Sequence, residues 1–184
     1  DLAFRLHQQD PASYPFLLES AAAGTPQGRY DILFAFPEMA LTLDHQGRLA
    51  GPGASGSQDF LSALNGWWQH EHVDAASPAL PFRGGWFLYL GYELAGQVEP
   101  TLTLHRPTGL PIAAAVRVHC ALVMDRAAGR AWIVCEPGAE AKREQVVRDI
   151  ARVDWEAPLA EDGPLLTGTV SEEPAARYTD AVLK

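Results

Sequence analysis

Residues able to do chemistry are few in this sequence, and their spacing disarms most of them. His70-Glu71-His72 offers the ligand types a metal ion takes. On a helix, residues two apart point to different faces, so both imidazoles could not reach one ion without unwinding it. The tripeptide reads as a solvated helix end. His119 beside Cys120 has the composition of a base and a thiol nucleophile, but neighbours in a strand face opposite sides of a sheet. Cys120 reads as structural. Residues 51–57 (GPGASGS) share only glycines with a phosphate loop, because no convincing parallel strand precedes them and the Lys-Ser/Thr ending is missing. No Gly-x-Ser-x-Gly or His-Glu-x-x-His occurs. The residues therefore supply neither a catalytic group nor a metal-ligand set.

Two constellations remain. In the first, Leu17-Leu18-Glu19-Ser20 is followed by Arg29-Tyr30-Asp31. A short strand ending in Glu-Ser beside a strand starting Arg-Tyr-Asp puts polar groups at the mouth of an apolar layer, where hydroxyl and backbone groups orient a small amphipathic ligand and aromatics bury its body. On the residues alone a second reading stays open, in which Ser20 only terminates a strand and Arg29 pairs with Asp31 or Glu19. The second constellation is the aromatic run at 82–93 (FRGGWFLYLGYE), with glycines at both ends that permit tight turns or close backbone approach. It reads as a packed core strand.

Strands must position these groups. Residues 14–19 and 29–36 read as largely buried strands, and Met39, Leu41 and Leu43 alternate with polar neighbours as a half-exposed one. His45-Gln46-Gly47 turns that strand back toward Leu49. Ser57 is the expected N-cap of a helix whose apolar face carries Phe60, Leu61, Leu64, Trp67 and Trp68. Residues 85–92 form another strand. Residues 112–125 and 130–136 read as a hairpin around 126–129, which sets Cys120 opposite Cys135; two reduced core thiols are expected there. A helix follows over 140–153, burying Val146, Val147, Ile150 and Val153, with Glu144 and Arg148 paired on its wet side. The implied class is α+β: mainly antiparallel β layers with two or three helices packed on one side.

Composition narrows the partners. The 184 residues are 47% hydrophobic and 20% charged, which suits a globular domain. Net charge is −9 and no run of Lys or Arg occurs, so nucleic acid is excluded as a partner. No apolar stretch reaches the roughly 18 residues of a membrane helix, and Asp1-Leu2-Ala3-Phe4-Arg5 lacks the pattern of a secretory signal. Two cysteines are too few for a disulfide-built secreted fold, which places the chain in the cytoplasm.

Taken in order, LLES (17–20), GRYDILFAFP (28–37), PFRGGWFLYLGYEL (81–94) and ARYTDAVLK (176–184) resemble the N-terminal region of the anthranilate synthase component I and aminodeoxychorismate synthase component I family. The resemblance covers nearly the whole chain. Arg29-Tyr30-Asp31 is more similar to the aminodeoxychorismate branch, since anthranilate synthases more often carry Ser where this chain has Asp31. Leu88 departs from the pattern, standing where many relatives have another glycine.

That resemblance implies a division into an N-terminal component I domain at 1–154, an acidic Pro/Gly linker at 155–171, and the first residues of a chorismate-binding domain at 172–184. Component I aminates chorismate with ammonia from a glutamine amidotransferase subunit (component II), and in the aminodeoxychorismate branch the product leads to p-aminobenzoate and folate. Chorismate, Mg²⁺ and the catalytic residues belong to the C-terminal domain, so no cofactor is assigned to this chain and it is expected to be inactive by itself. The family's N-terminal domain carries a tryptophan pocket, whose matching positions here are Leu18, Glu19, Ser20, Gln27, Gly28, Tyr30 and Asp31. The pocket is completed from the C-terminal domain, so weak or no tryptophan binding is expected of this chain alone. Three other functions stay open: the anthranilate branch, a stand-alone small-ligand module, and a docking domain for the amidotransferase.

Overall fold

Alternating apolar positions close into two four-stranded antiparallel sheets in the computed structural model, which describes residues 2–20, 22, 25, 28–73, 80–104, 109–159 and 174–183. The strands are β1 (Phe16–Leu18), β2 (Tyr30–Ala35), β3 (Ala40–Leu43), β4 (Leu49–Ala50), β5 (Gly85–Leu90), β6 (Ala113–Val118), β7 (Cys120–Asp125) and β8 (Arg130–Cys135). One sheet has the order β1-β2-β7-β8 and the other β4-β3-β6-β5. The helices are α1 (Leu2–Gln9), α2 (Phe60–Glu71), α3 (Ala95–Val98), α4 (Glu140–Ala151) and α5 (Ala175–Val182), with a 3-10 turn at Tyr92–Leu94. The antiparallel α+β class is therefore observed.

Period-2 alternation assigns the faces. On the first sheet Leu33, Ala35, Cys120 and Leu122 pack with Ala3 and Leu6 of α1 and Val146 of α4. On the second, Leu41, Leu43, Ala113 and Ala115 pack with Phe60, Ala63 and Trp67 of α2. The opposite faces meet between the sheets, where Phe87 stacks on Phe16 at 4.0 Å and lies edge-on to Phe34 at 5.5 Å. Helices thus cover both outer faces rather than one side. Each sheet has two apolar faces, and the sheets cover only one of them for each other.

The chain crosses between sheets at a single corner. Ala35 faces Cys120 in the first sheet and Ala40 faces Val116 in the second, so residues 36–39 span what 117–119 span on the partner strand. The extra residue forms a bulge: Glu38 N–H donates to Arg117 O while Arg117 N–H donates to Met39 O. Pro37 has no N–H to give the ladder, and Phe36 turns with φ of 53°, its N–H bonded to Ser13 O. The continuous strand expected over 112–125 is accordingly two strands split at His119.

Arg117 fills this corner. Its guanidinium makes two bonds to Glu136 (2.9 and 2.6 Å), one to Glu71 (3.1 Å) and one to Gly85 O (2.9 Å), and lies 4.5 Å from the Trp86 ring centre. His119 bridges Glu136 and Glu38 at 2.7 and 3.1 Å, and Lys142 of α4 bonds Glu38. Glu71 of the His-Glu-His run thus serves the corner.

Other local expectations shift by a residue or a face. Asp59, not Ser57, caps α2 by accepting from Ser62 N–H, while the Ser57 hydroxyl donates to Gly53 O. Leu61 and Trp68 lie outside the buried stripe of α2, and Val147 is exposed although Val146 is buried. Glu144 and Arg148 do pair, at 3.9 Å. Cys120 and Cys135 face each other, with Cα atoms 4.2 Å apart, and are joined as a disulfide instead of remaining two thiols. Directly opposed residues at a closely spaced pair of an antiparallel ladder bring their side chains within reach. Of the expected linker at 155–171, residues 160–171 lie outside the described residues, as do 172 and 173 ahead of α5.

The corner also explains Gly84. Its φ is +113°, and a Cβ there would overlap the Glu136 carboxylate, which Arg117 and His119 hold in place. Gly56 has φ of +85° but open space around it. Gly84→Ala should lower the unfolding free energy by about 2–4 kcal/mol in urea denaturation, from strain plus overpacking. Gly56→Ala should cost only about 1 kcal/mol.

Candidate functional site

The polar mouth expected near Leu18 and Tyr30 exists, but the sheet divides it. In β2, Tyr30 takes the face turned to the other sheet and Asp31 the face turned to the helices, since adjacent residues alternate. Leu18, opposite Ile32, shares the Tyr30 side. Leu18 and Glu19 are exposed and Ser20 is half-buried just past the end of β1. Gln27 lies outside the described residues. Gly28 is buried, and a Cβ there would overlap Ala22 O and come within 3.3 Å of the Ser20 hydroxyl.

Short-range bonds shape the approach to this mouth. The Ser20 hydroxyl oxygen accepts from Ala22 N–H at 3.2 Å. The Thr25 hydroxyl donates to Ala22 O at 2.8 Å, and its oxygen accepts from Gly28 N–H at 3.1 Å. Ser20 therefore has a local structural partner, and its Oγ retains capacity for a further hydrogen bond.

Arg126, which the sequence reading did not single out, is the centre of the helix-facing half. Its Nε donates to Asp31 Oδ2 at 2.6 Å, its Nη1 donates to Ser20 O at 2.8 Å, and its Nη2 lies 4.0 Å from Glu19 Oε1. One side chain thus gathers Glu19, Ser20 and Asp31. Asp31 is 2% exposed, and its Oδ1 is buried with no hydrogen-bond partner. An unsatisfied buried carboxylate oxygen is costly, and it marks where an added N–H donor would gain most.

Arg29 has a different role from the one expected. It bonds Asp125 through Nε and Nη2 at 3.0 and 2.5 Å and lies 4.8 Å from the Tyr30 ring centre, so it pairs with neither Asp31 nor Glu19. Asp125 also accepts the N–H groups of Ala127 and Ala128, both at 3.0 Å, which fixes the β7–β8 turn. The hydrogen bond from Arg29 leads the causes that hold its carboxyl below the usual aspartate range, against burial. The signal for this arrangement is Asp125 four residues before Gly129, a turn-opening carboxylate. It fixes the turn from which Arg126 projects; the partner of Arg126 depends on the β2–β7 register.

The site can hold a small polar ligand but has no set of groups for bond-making. Among the described residues, no cluster of three or more His, Cys, Asp or Glu is placed to hold a metal ion. Removing the guanidinium would leave Asp31 buried without its cation. Arg126→Ala should therefore cost about 2 kcal/mol of stability, reduced from the fully buried case because Arg126 is about one-third exposed. Adding Asp31→Ala should recover part of that loss in the same urea titration.

Comparison with known proteins supports the fold. No family model matches the sequence, and no curated protein matches it. Among solved structures, the chain is similar to anthranilate synthase component I from Streptococcus pneumoniae TIGR4, with a TM-score of 0.53 and 21% sequence identity. The match covers 74% of this chain and 31% of that one. At this identity the likeness is one of fold.

Proposed function

We propose that this chain is the non-catalytic N-terminal domain of aminodeoxychorismate synthase component I, the chain that aminates chorismate to 4-amino-4-deoxychorismate for p-aminobenzoate and folate. The observation that carries the reading is the fold match to an anthranilate synthase component I over 74% of this chain. Motif order supports it, because the LLES, GRYDILFAFP and PFRGGW segments fall at the mouth, on β2 and at the Gly84 corner. Within this reading the branch follows from Asp31, which bonds Arg126 where the anthranilate pattern more often has Ser. Chorismate, Mg²⁺ and the catalytic groups belong to the rest of the enzyme, and ammonia comes from a glutamine amidotransferase subunit. No residue of this chain is assigned to Mg²⁺.

The role of this domain is then to support the catalytic part and to carry the mouth built from Leu18, Glu19, Ser20 and Tyr30. Arg126 already occupies Asp31 Oδ2 and Ser20 O. An incoming ammonium must share those acceptors, so tryptophan binds this chain weakly or not at all. One observation favours a second reading, a small-ligand module: the open Asp31 Oδ1 can take an N–H donor.

The test is a product assay on the complete gene product with chorismate, Mg²⁺ and ammonium, beside calorimetry of this chain with tryptophan. The expected results are 4-amino-4-deoxychorismate and no saturable heat below about millimolar tryptophan, a free energy near −4 kcal/mol. Anthranilate as product would move the chain to the other branch. No chorismate turnover together with tight tryptophan binding would overturn the reading in favour of the ligand module.

A further inference from the structure

Strand β5 leaves one side of its sheet open. It stands at the end of the order β4-β3-β6-β5, and among the described residues no strand pairs with its outer side. The β6 register fixes which groups are unspent. Gly91 N–H donates to Ile112 O, so by the alternation of an antiparallel ladder Gly85, Phe87 and Tyr89 bond β6. The main-chain groups of Trp86, Leu88 and Leu90 then point outward.

These three residues also share the face turned toward α2. Leu88 and Leu90 stand opposite Ala115 and Ala113, whose small side chains cover little of them, and they are 45% and 51% exposed. The flank of α2 does not close over them. Between helix and strand lies a cleft of about 350 Å³ lined by Leu61, Leu64, Asn65, Trp68, Trp86 and Leu88. Soluble proteins blunt edge strands with charge, proline or a bulge. The run Gly85–Leu90 (GWFLYL) has neither charge nor proline and keeps an unbroken register with β6. A row of free amides beside an apolar cleft is the form of a strand receptor: the backbone supplies pairing, and alternate side chains supply fit.

We propose that this edge receives an extended strand from the remainder of a component I chain, with side chains of that strand filling the α2–β5 cleft. The proposal rests on the functional reading above and names the surface by which this domain joins its catalytic part. The occupant follows from the comparison: the match covers 31% of the anthranilate synthase component I chain, so most of such a chain is available to cover this side. A strand tethered in the same chain pairs at a high effective concentration and removes the edge hazard without needing a second molecule.

Amide hydrogen exchange on the complete gene product tests this, with chorismate turnover scored separately. The outward amides of Trp86, Leu88 and Leu90 should exchange as slowly as those of Phe87 and Tyr89, at every protein concentration. Leu88→Pro removes an outward N–H and spares the β6 bonds; it should release the Trp86 and Leu90 amides by at least about tenfold while Phe87 and Tyr89 stay protected. Outward amides that exchange at free-peptide rates in an active synthase overturn the docking and leave the functional reading intact. Protection that grows with concentration overturns it in favour of a second copy at the edge. A product without chorismate turnover overturns the functional reading and this proposal with it.

Discussion

Arg117 carries its charge into the corner between the sheets, and burying it there obliges separate elements to meet. Burial works against the charged form, but the bonds from Glu136 and then Glu71 outweigh it and hold the guanidinium above its ordinary pKa. Glu136 comes from the end of β8, Glu71 from the last turn of α2, and Gly85 O from the first residue of β5. His119 and Lys142 extend the chain of charges to Glu38 in the bulge, whose carboxyl is held low first by Lys142. A buried pair of this kind adds little net stability over an apolar filling, yet losing one partner is severe. Its consequence here is positional: the crossing, the Gly84 turn and the end of α2 are tied to one point.

The polar mouth sits at the other end of the first sheet and follows the same logic with smaller charges. Asp125 and Asp31 are both 2% exposed, and each is met by an arginine from the partner strand. Because Tyr30 and Asp31 are adjacent in β2, they cannot line one cavity; alternation sends the aromatic between the sheets and the carboxylate toward the helices. A ligand at this mouth therefore contacts Tyr30 and Leu18 as walls, and it reaches Asp31 only around the strand end where Ser20 and Arg126 meet.

Much of this was legible in the residues. Strong alternation marked β2, β3, β5 and β7, the Asp125–Gly129 turn fixed the β7–β8 register, and Cys120 met Cys135 as that register requires. What escaped was long-range. Nothing local distinguishes Ile112–Asp125 as one strand from two strands in different sheets, because the break at His119 is imposed by the bulge opposite Arg117. Helix α1 went unread because its eight residues carry only a short apolar stripe. Val147 looked buried because an apolar pair at 146 and 147 does not tell a helix which member faces in. Arg126 stayed hidden for a similar reason: turn chemistry reveals where a side chain leaves the hairpin, and only the neighbouring strand decides what it meets.

If the corner charge is what fastens the two sheets, Arg117 and Glu136 must act as one unit. A double-mutant cycle with Arg117→Met and Glu136→Leu, followed by urea denaturation, measures that directly. Each single change should cost about 3–5 kcal/mol by leaving a buried charge unpaired, and the double variant should cost no more than either alone. Additive losses in the double variant would contradict the account and return the corner to ordinary packing.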